Sequence, residues 1–142
     1  MKLTILTLTA LLPSALSLQI TFDPVYDNAN QSLTTVECST GSNGLITKGF
    51  TNFSSLPTFP FIGGAQAVEA FNSVNCGSCW NLTFNDTGAN VVRSVKILAV
   101  DHAGSGFNIA LTAMNNLTGG NAEQLGLVQG SAAQLNASEC GL

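Results

Sequence analysis

Residues 74–81 read VNCGSCWN, and the Cys76-x-x-Cys79 pair inside them decides what kind of fold the chain can build. Two thiols three residues apart suit a zinc corner, a thioredoxin-like redox site, or the anchoring of two separate crosslinks. Local spacing leaves these readings open. The choice turns on the compartment in which the chain folds and on its other cysteines.

Residues 1–17, MKLTILTLTALLPSALS, carry one positive charge at Lys2, then an apolar run broken by Pro13, then the small residues Ala15 and Ser17. That is the pattern of a secretory signal peptide. The apolar run is too short to cross a bilayer, and no later stretch is long and apolar enough to serve as a transmembrane segment. The expectation is a soluble, secreted chain starting near Leu18 and forming a single domain over residues 18–142.

Secretion places the chain where thiols pair. The cysteines are Cys38, Cys76, Cys79 and Cys140, an even set that allows three pairings. A Cys76–Cys79 bond would close a ring that constrains little and leave Cys38 to reach Cys140. Joining Cys38 to Cys76 and Cys79 to Cys140 closes two long loops, each worth about 4 kcal/mol of chain entropy, and is the favoured pairing. Against zinc stand the single histidine, His102, and the lack of a second Cys-x-x-Cys, so no metal or other cofactor is expected. Against a redox role, a reactive Cys-x-x-Cys usually opens a helix, whereas CWNLTF reads as a strand.

Without the signal, Lys48, Arg93 and Lys96 face eight acidic residues, giving a net charge of -5. Nucleic acid is a poor partner for such a chain, because phosphate binding needs clustered Lys and Arg. Few charges with abundant Ser, Thr, Asn and Gly make a neutral polar surface able to hydrogen-bond sugars. About 125 residues suffice for one domain with a real core.

Leu18 to Phe22 alternates as a strand, DPVYDNANQS is turn-rich, and Gly41 to Gly44 is a turn. NFSSLPTFPF, with Pro57 and Pro60, is expected to be a long ordered loop. Gly63-Gly64 admits a short helix over 65–71 with Ala67, Val68 and Phe71 on one face. Cys79 to Phe84 and Val91 to Val100 read as strands, the second with a bulge or bend because Arg93 and Lys96 fall on opposite faces. Asn108 is placed to cap a helix over 109–117 that ends at Gly119, and the tail offers short strands at 125–128 and 132–135. Short strands and two small helices in a disulfide-linked secreted domain point to a mainly β, small barrel.

AVDHAGSGFNIA, residues 99–110, is the stretch most suggestive of chemistry. Asp101 follows a long apolar strand and sits at its rim, either as an acceptor or acid facing a ligand or as a residue bonding nearby backbone amides. Glycoside hydrolysis needs two carboxyl groups across one bond, and none of the other acidic residues stands in an obvious partner motif. Ser-His-Asp catalysis is equally unsupported, since His102 adjoins Asp101 and no Gly-x-Ser-x-Gly occurs. Trp80 and Tyr26 could stack on sugar rings, although core packing is the stronger expectation for Trp80. Phe53, Phe59 and Phe61 read as core, or as an apolar patch where exposed. Asn-x-Ser/Thr sequons begin at Asn30, Asn52, Asn81, Asn85, Asn116 and Asn136; those at Asn30, Asn52, Asn116 and Asn136 are the glycosylation candidates, the strand-embedded Asn81 not.

Together DPVYDN, CSTG, LPTFPFIGGAQAVEAFNS, CGSCW, AVDHAGSGFNIALTAMNNLTGG and the terminal ASECGL resemble the cerato-platanin family of small secreted fungal proteins over nearly the whole chain after the signal. The resemblance implies a six-stranded double-ψ β-barrel related to expansin and barwin-like domains, with Cys38 bonded to Cys76 and Cys79 to Cys140. It implies a non-enzymatic, cell-wall-associated protein that binds chitin or N-acetylglucosamine oligomers, with cellulose a further candidate, and loosens polysaccharide without cutting it. Perception by a plant surface receptor as an elicitor, and self-association at interfaces, belong to the same expectation. Asp101 occupies the acidic position shared with expansins, and Tyr26, His102 and Asn108 complete the expected glycan-binding set. Phe22 stands where the family often has Tyr and Phe71 where Trp is frequent, while Leu127 and Gln129 replace a common Arg and Asp, removing a salt link. The enzymatic alternative is an endoglucanase or lytic transglycosylase on the same barrel.

Overall fold

A computed structural model describes residues 16–142. The signal peptide expected over 1–17 lies, except for Leu16 and Ser17, outside the described residues. No helix among the described residues is long and apolar enough to cross a membrane.

Six strands close a barrel: β1 (Leu18–Phe22), β2 (Ile62–Ala65), β3 (Cys79–Asp86), β4 (Val91–His102), β5 (Phe107–Ile109) and β6 (Leu127–Leu135), in the order β1-β5-β2-β4-β3-β6 with β6 returning to β1. The pairs β1/β5 and β2/β4 are parallel and the rest antiparallel, giving a barrel of the double-ψ type. Helix α1 (Leu111–Thr118) packs against β4 and β3, and a single turn, α2 (Ala122–Leu125), leads into β6. Inward-facing Ile20, Leu82, Ile97 and Ile109 are fully buried, and α1 adds Met114 and Leu117. The disulfides are Cys38–Cys76 and Cys79–Cys140, the favoured pairing. Gly77, at φ 76°, turns the chain between the two half-cystines, so they leave in different directions.

Four expectations change. Residues 65–71 do not form a helix; Ile62–Ala65 is instead a fully buried strand wedged between β4 and β5, followed by isolated turns. Its glycines are there for proximity, since a Cβ on Gly63 would lie 2.5 Å from the Asn108 carbonyl oxygen. Val68 is buried and Phe71 exposed, so they share no face.

Asn108 caps nothing, because it lies within β5. Helix α1 starts two residues later than expected, and its first amides are capped from a distance: Asp27 Oδ2 accepts from Leu111 N–H at 2.6 Å and Oδ1 from Thr112 N–H at 3.0 Å. Gly119 ends α1 in the left-handed conformation, as expected. The tail is one strand rather than two: β6 pairs with β1 up to Gly130 and with β3 from Ser131 onward. The irregularity expected in β4 is real but lies near its end, where Gly63 pairs with Ala99 and Gly64 with Asp101, leaving Val100 as the extra residue. Arg93 and Lys96 need no bulge, because each emerges near solvent and finds a carboxylate, Asp86 at 3.4 Å and Glu139 at 3.3 Å.

Asp27→Ala should destabilise the chain by about 1 kcal/mol, the usual cost of losing an N-terminal cap, and Asp27→Asn by less, because its amide oxygen still accepts. Denaturant titration with the disulfides intact measures both; equal stability of Asp27→Ala and the parent would show that α1 needs no remote cap.

Candidate functional site

Asp101 lies one residue beyond the bulge, and the slip of register sets its carboxylate among three donors. Oδ1 accepts from the backbone N–H of His102 at 2.9 Å and of Glu37 at 3.0 Å; Oδ2 accepts from the Tyr26 hydroxyl at 3.1 Å. A carboxylate has about four lone-pair sites, so one is left for a ligand. Both readings of Asp101 are thus partly met: it organises backbone, and it keeps limited capacity to bind.

Two loops hold this end of β4. Cys38 N–H donates to the Val100 carbonyl at 3.2 Å and Gly77 N–H to that of Ala99 at 2.9 Å, and the Cys38–Cys76 bond joins these segments. The bulged carbonyls are thereby satisfied and the approach of Glu37 to Asp101 is fixed.

Tyr26 does not offer a stacking face. It is only 4% exposed, its ring lies 5.9 Å from that of Phe53, and its hydroxyl is given to Asp101. Burial first, then the charge of Asp101 and the bond to it, then the charge of Asp23, push the phenol above its ordinary value of 10.0.

Asn108 belongs to the same surface. Asp101 pairs with Gly64, Gly64 with Asn108, and Asn108 with Thr21, so these residues form one row across β4, β2, β5 and β1. Four strands spaced about 4.8 Å apart make the row about 14 Å long. Asn108 Oδ1 accepts from Thr21 Oγ1 at 3.0 Å, which orients its amide NH₂ away as a donor. Thr21 was not anticipated; the alternation of β1 alone marks it as outward-facing without showing what it would meet.

His102 lies apart from this row. It pairs with Ala65, on the other face, and its Nδ1 sits 2.6 Å from the Val68 carbonyl oxygen, a contact that makes Nδ1 the donor. Trp80 packs edge-on to Phe107 with ring centres 5.4 Å apart, and its Nε1–H is given to Ser78 Oγ. Phe53 is core, and Phe59 and Phe61 are half-buried against the core; the exposed apolar side chains include Phe71, Val74 and Val92 instead. Among the sequons, Asn30, Asn85, Asn116 and Asn136 are exposed, while Asn52 and Asn81 are half-buried and Asn52 Oδ1 is engaged by Ser55 N–H.

The family description "Cerato-platanin" matches residues 18–142. The chain belongs to the cerato-platanin family. Its members are small secreted fungal proteins related to expansin and barwin-like proteins. Similar solved structures include cerato-platanin 2 from M. perniciosa, with TM-score 0.83 and 48% identity over 89% of this chain and 99% of that one. The solution structure of the fungal elicitor Cerato-Platanin is similar at TM-score 0.73 and 32% identity, covering 86% and 95% of the two chains. In sequence, the heat-stable 19 kDa antigen of Coccidioides immitis (strain RS) is 40% identical over 134 residues, 94% of this chain and 88% of that protein. Cerato-platanin of Ceratocystis fimbriata f. sp. platani is 34% identical over 119 residues, 84% and 81% of the two.

The buried phenol of this cerato-platanin has a testable signature. Because its ionisation is harder in the folded chain, the associated stability is fully present below the pH at which an unfolded phenol ionises, about 10, and falls as pH rises above that. Tyr26 is the only tyrosine in the sequence, so phenolate absorbance should appear only together with alkaline unfolding. Tyr26→Phe should cost about 1 kcal/mol near neutral pH and flatten the decline above pH 10. Phenolate formation in the folded protein at its ordinary pH would contradict the arrangement.

Proposed function

We propose that this protein is a non-catalytic glycan-binding member of its family, acting outside the cell at the wall. Its ligands are chitin or N-acetylglucosamine oligomers, with cellulose secondary. Asp101 accepts from a sugar hydroxyl or acetamido N–H through its spare lone pair, and the Asn108 amide donates to a neighbouring oxygen. A row of fixed donors and acceptors on the barrel wall competes with the hydrogen bonds between polysaccharide strands, so loosening follows from binding without a covalent step. A relative's description as a fungal elicitor extends the reading to perception by a plant surface receptor.

The observation that carries binding over hydrolysis is the commitment of the carboxylates around Asp101. Asp23 Oδ1 holds Val25 N–H at 2.9 Å, and Asp27 caps α1. Cleavage needs an acid and a base or nucleophile free to act on one bond. Glu37 is tied to Asp101 through its backbone N–H and its carboxylate makes no hydrogen bond among the described residues, which makes Glu37→Gln the control for the enzymatic alternative.

Isothermal titration with chitin oligomers should show binding by the parent and a loss of about tenfold or more in Asp101→Asn, the scale of one charge-assisted hydrogen bond. No binding by the parent, or equal binding by both, removes Asp101 from the role. New reducing ends released from cellulose or chitin by the parent and abolished in Glu37→Gln would establish hydrolysis instead. Exposed Phe71 and Val74 favour self-association as a second property, checked by surface tension over a dilution series of the parent and Phe71→Ser.

A further inference from the structure

The two ends of the barrel are finished differently. At one end α1 lies against β3 and β4 and buries Met114 and Leu117 completely. At the other, where β1, β3 and β5 begin, no helix among the described residues covers the opening, and a recess of about 370 Å³ remains. The registers show why side chains meet there. Leu18 precedes inward-facing Ile20 by two residues, Phe107 pairs with Ile20, Trp80 pairs with inward-facing Ile97, and Ala132 pairs with inward-facing Leu82. The recess is therefore the outermost layer of the barrel interior, incompletely filled.

We propose that this open mouth binds a small uncharged ring compound carrying one hydrogen-bond acceptor. The walls are mostly carbon: Leu18, Phe107, Ala132 and Trp80. The indole is held by its edge-on contact with Phe107, and its Nε1–H is already given to Ser78 Oγ at 2.8 Å, so it offers the ligand aromatic surface and no donor. Among the described residues lining the recess, Gln66 is the one with a polar side chain besides the indole of Trp80. Its Oε1 accepts from Gly106 N–H at 3.0 Å, which fixes the amide orientation, and its Nε2 hydrogens make no hydrogen bond among the described residues. One preoriented donor thus stands at the rim of an apolar hollow whose volume lies at the small end of ligand sites.

These features select the ligand class. An ion would lose its hydration with no opposite charge among the described residues lining the recess. A sugar would leave most of its hydroxyls unpaired against carbon. A single neutral ring with a carbonyl or ether oxygen leaves nothing unpaired: the ring meets Trp80 and Phe107, and the oxygen takes the Gln66 donor. The site is separate from the Asp101 row, because Phe107 faces inward on β5 while its neighbour Asn108 faces outward.

The test is titration of the disulfide-intact secreted chain with acetophenone, followed by amide and indole NMR shifts, with benzoate and N-acetylglucosamine as comparison probes. Trp80 is the only tryptophan, so its indole N–H signal is unambiguous. Acetophenone should shift the Trp80 indole and the Gln66 side-chain amide saturably while leaving the Asn108 amide in place. Ala132→Leu, which fills the mouth, and Gln66→Glu, which keeps an acceptor for Gly106 N–H but removes the donor, should each weaken binding about tenfold. Should Ala132→Leu fail to fold, Ala67→Leu blocks the same recess from the rim. Shifts that never saturate, undiminished affinity in the folded filling variant or in Gln66→Glu, or tighter binding of benzoate or N-acetylglucosamine would each overturn the assignment.

Discussion

The rest of the molecule depends on how the end of β4 is held. A long strand that slips register by one residue leaves carbonyls pointing where no ladder partner stands, and unpaired carbonyls in a barrel wall would cost more than the bulge returns. Here Cys38 N–H and Gly77 N–H take the carbonyls of Val100 and Ala99, and a disulfide prevents the two loops from leaving. The crosslink is thus a positional device as well as an entropic one. It lets β4 continue to Asp101 with its carboxylate turned out beside Gly64, where the adjacent strand has no side chain to obstruct it.

Tyr26 couples that surface to the core. Its ring packs on Phe53 beneath the loop while its hydroxyl supports Asp101, so the loop cannot shift without disturbing both. Asp27, one residue on, secures the same segment to α1. A short turn of 3₁₀ helix, Pro24–Asp27, therefore joins the surface row to the helix that closes one end of the barrel. This division of labour explains why an acidic chain spends its carboxylates on backbone amides, with the ion pairs of Arg93 and Lys96 confined to half-exposed positions.

Much of this was legible in the sequence wherever a pattern is local. The alternation of Leu18–Phe22 and Cys79–Phe84 gave strands, the prolines of NFSSLPTFPF gave a loop, and the even cysteine set in a chain expected to be secreted gave crosslinks. What stayed hidden depends on partners distant along the chain. Ile62–Ala65 reads as a breaker followed by a helix because its glycines answer to neighbouring strands whose backbone would lie within 3 Å of an added Cβ, a requirement invisible in its own four letters. Asn108 looks like a cap because a three-residue strand is too short to alternate, and the true cap, Asp27, is 84 positions away from Leu111. Asp101 was found from its place after a long apolar strand. That Tyr26 would be buried under it, and Thr21 set beside Asn108, could follow only from the register.

The seam between β1 and β6 has a bearing on how the protein is made. The earliest and latest described strands lie side by side, and Cys140, nearly at the end of the chain, is bonded to the first residue of β3. No portion emerging from the ribosome can complete the cylinder until its final strand is available, and pairings between such remote segments form slowly. An export channel that accepts only extended polypeptide would thus receive this chain while it is still unable to close, and the seal would be made on the far side, in the one compartment where its sulfurs can also be joined.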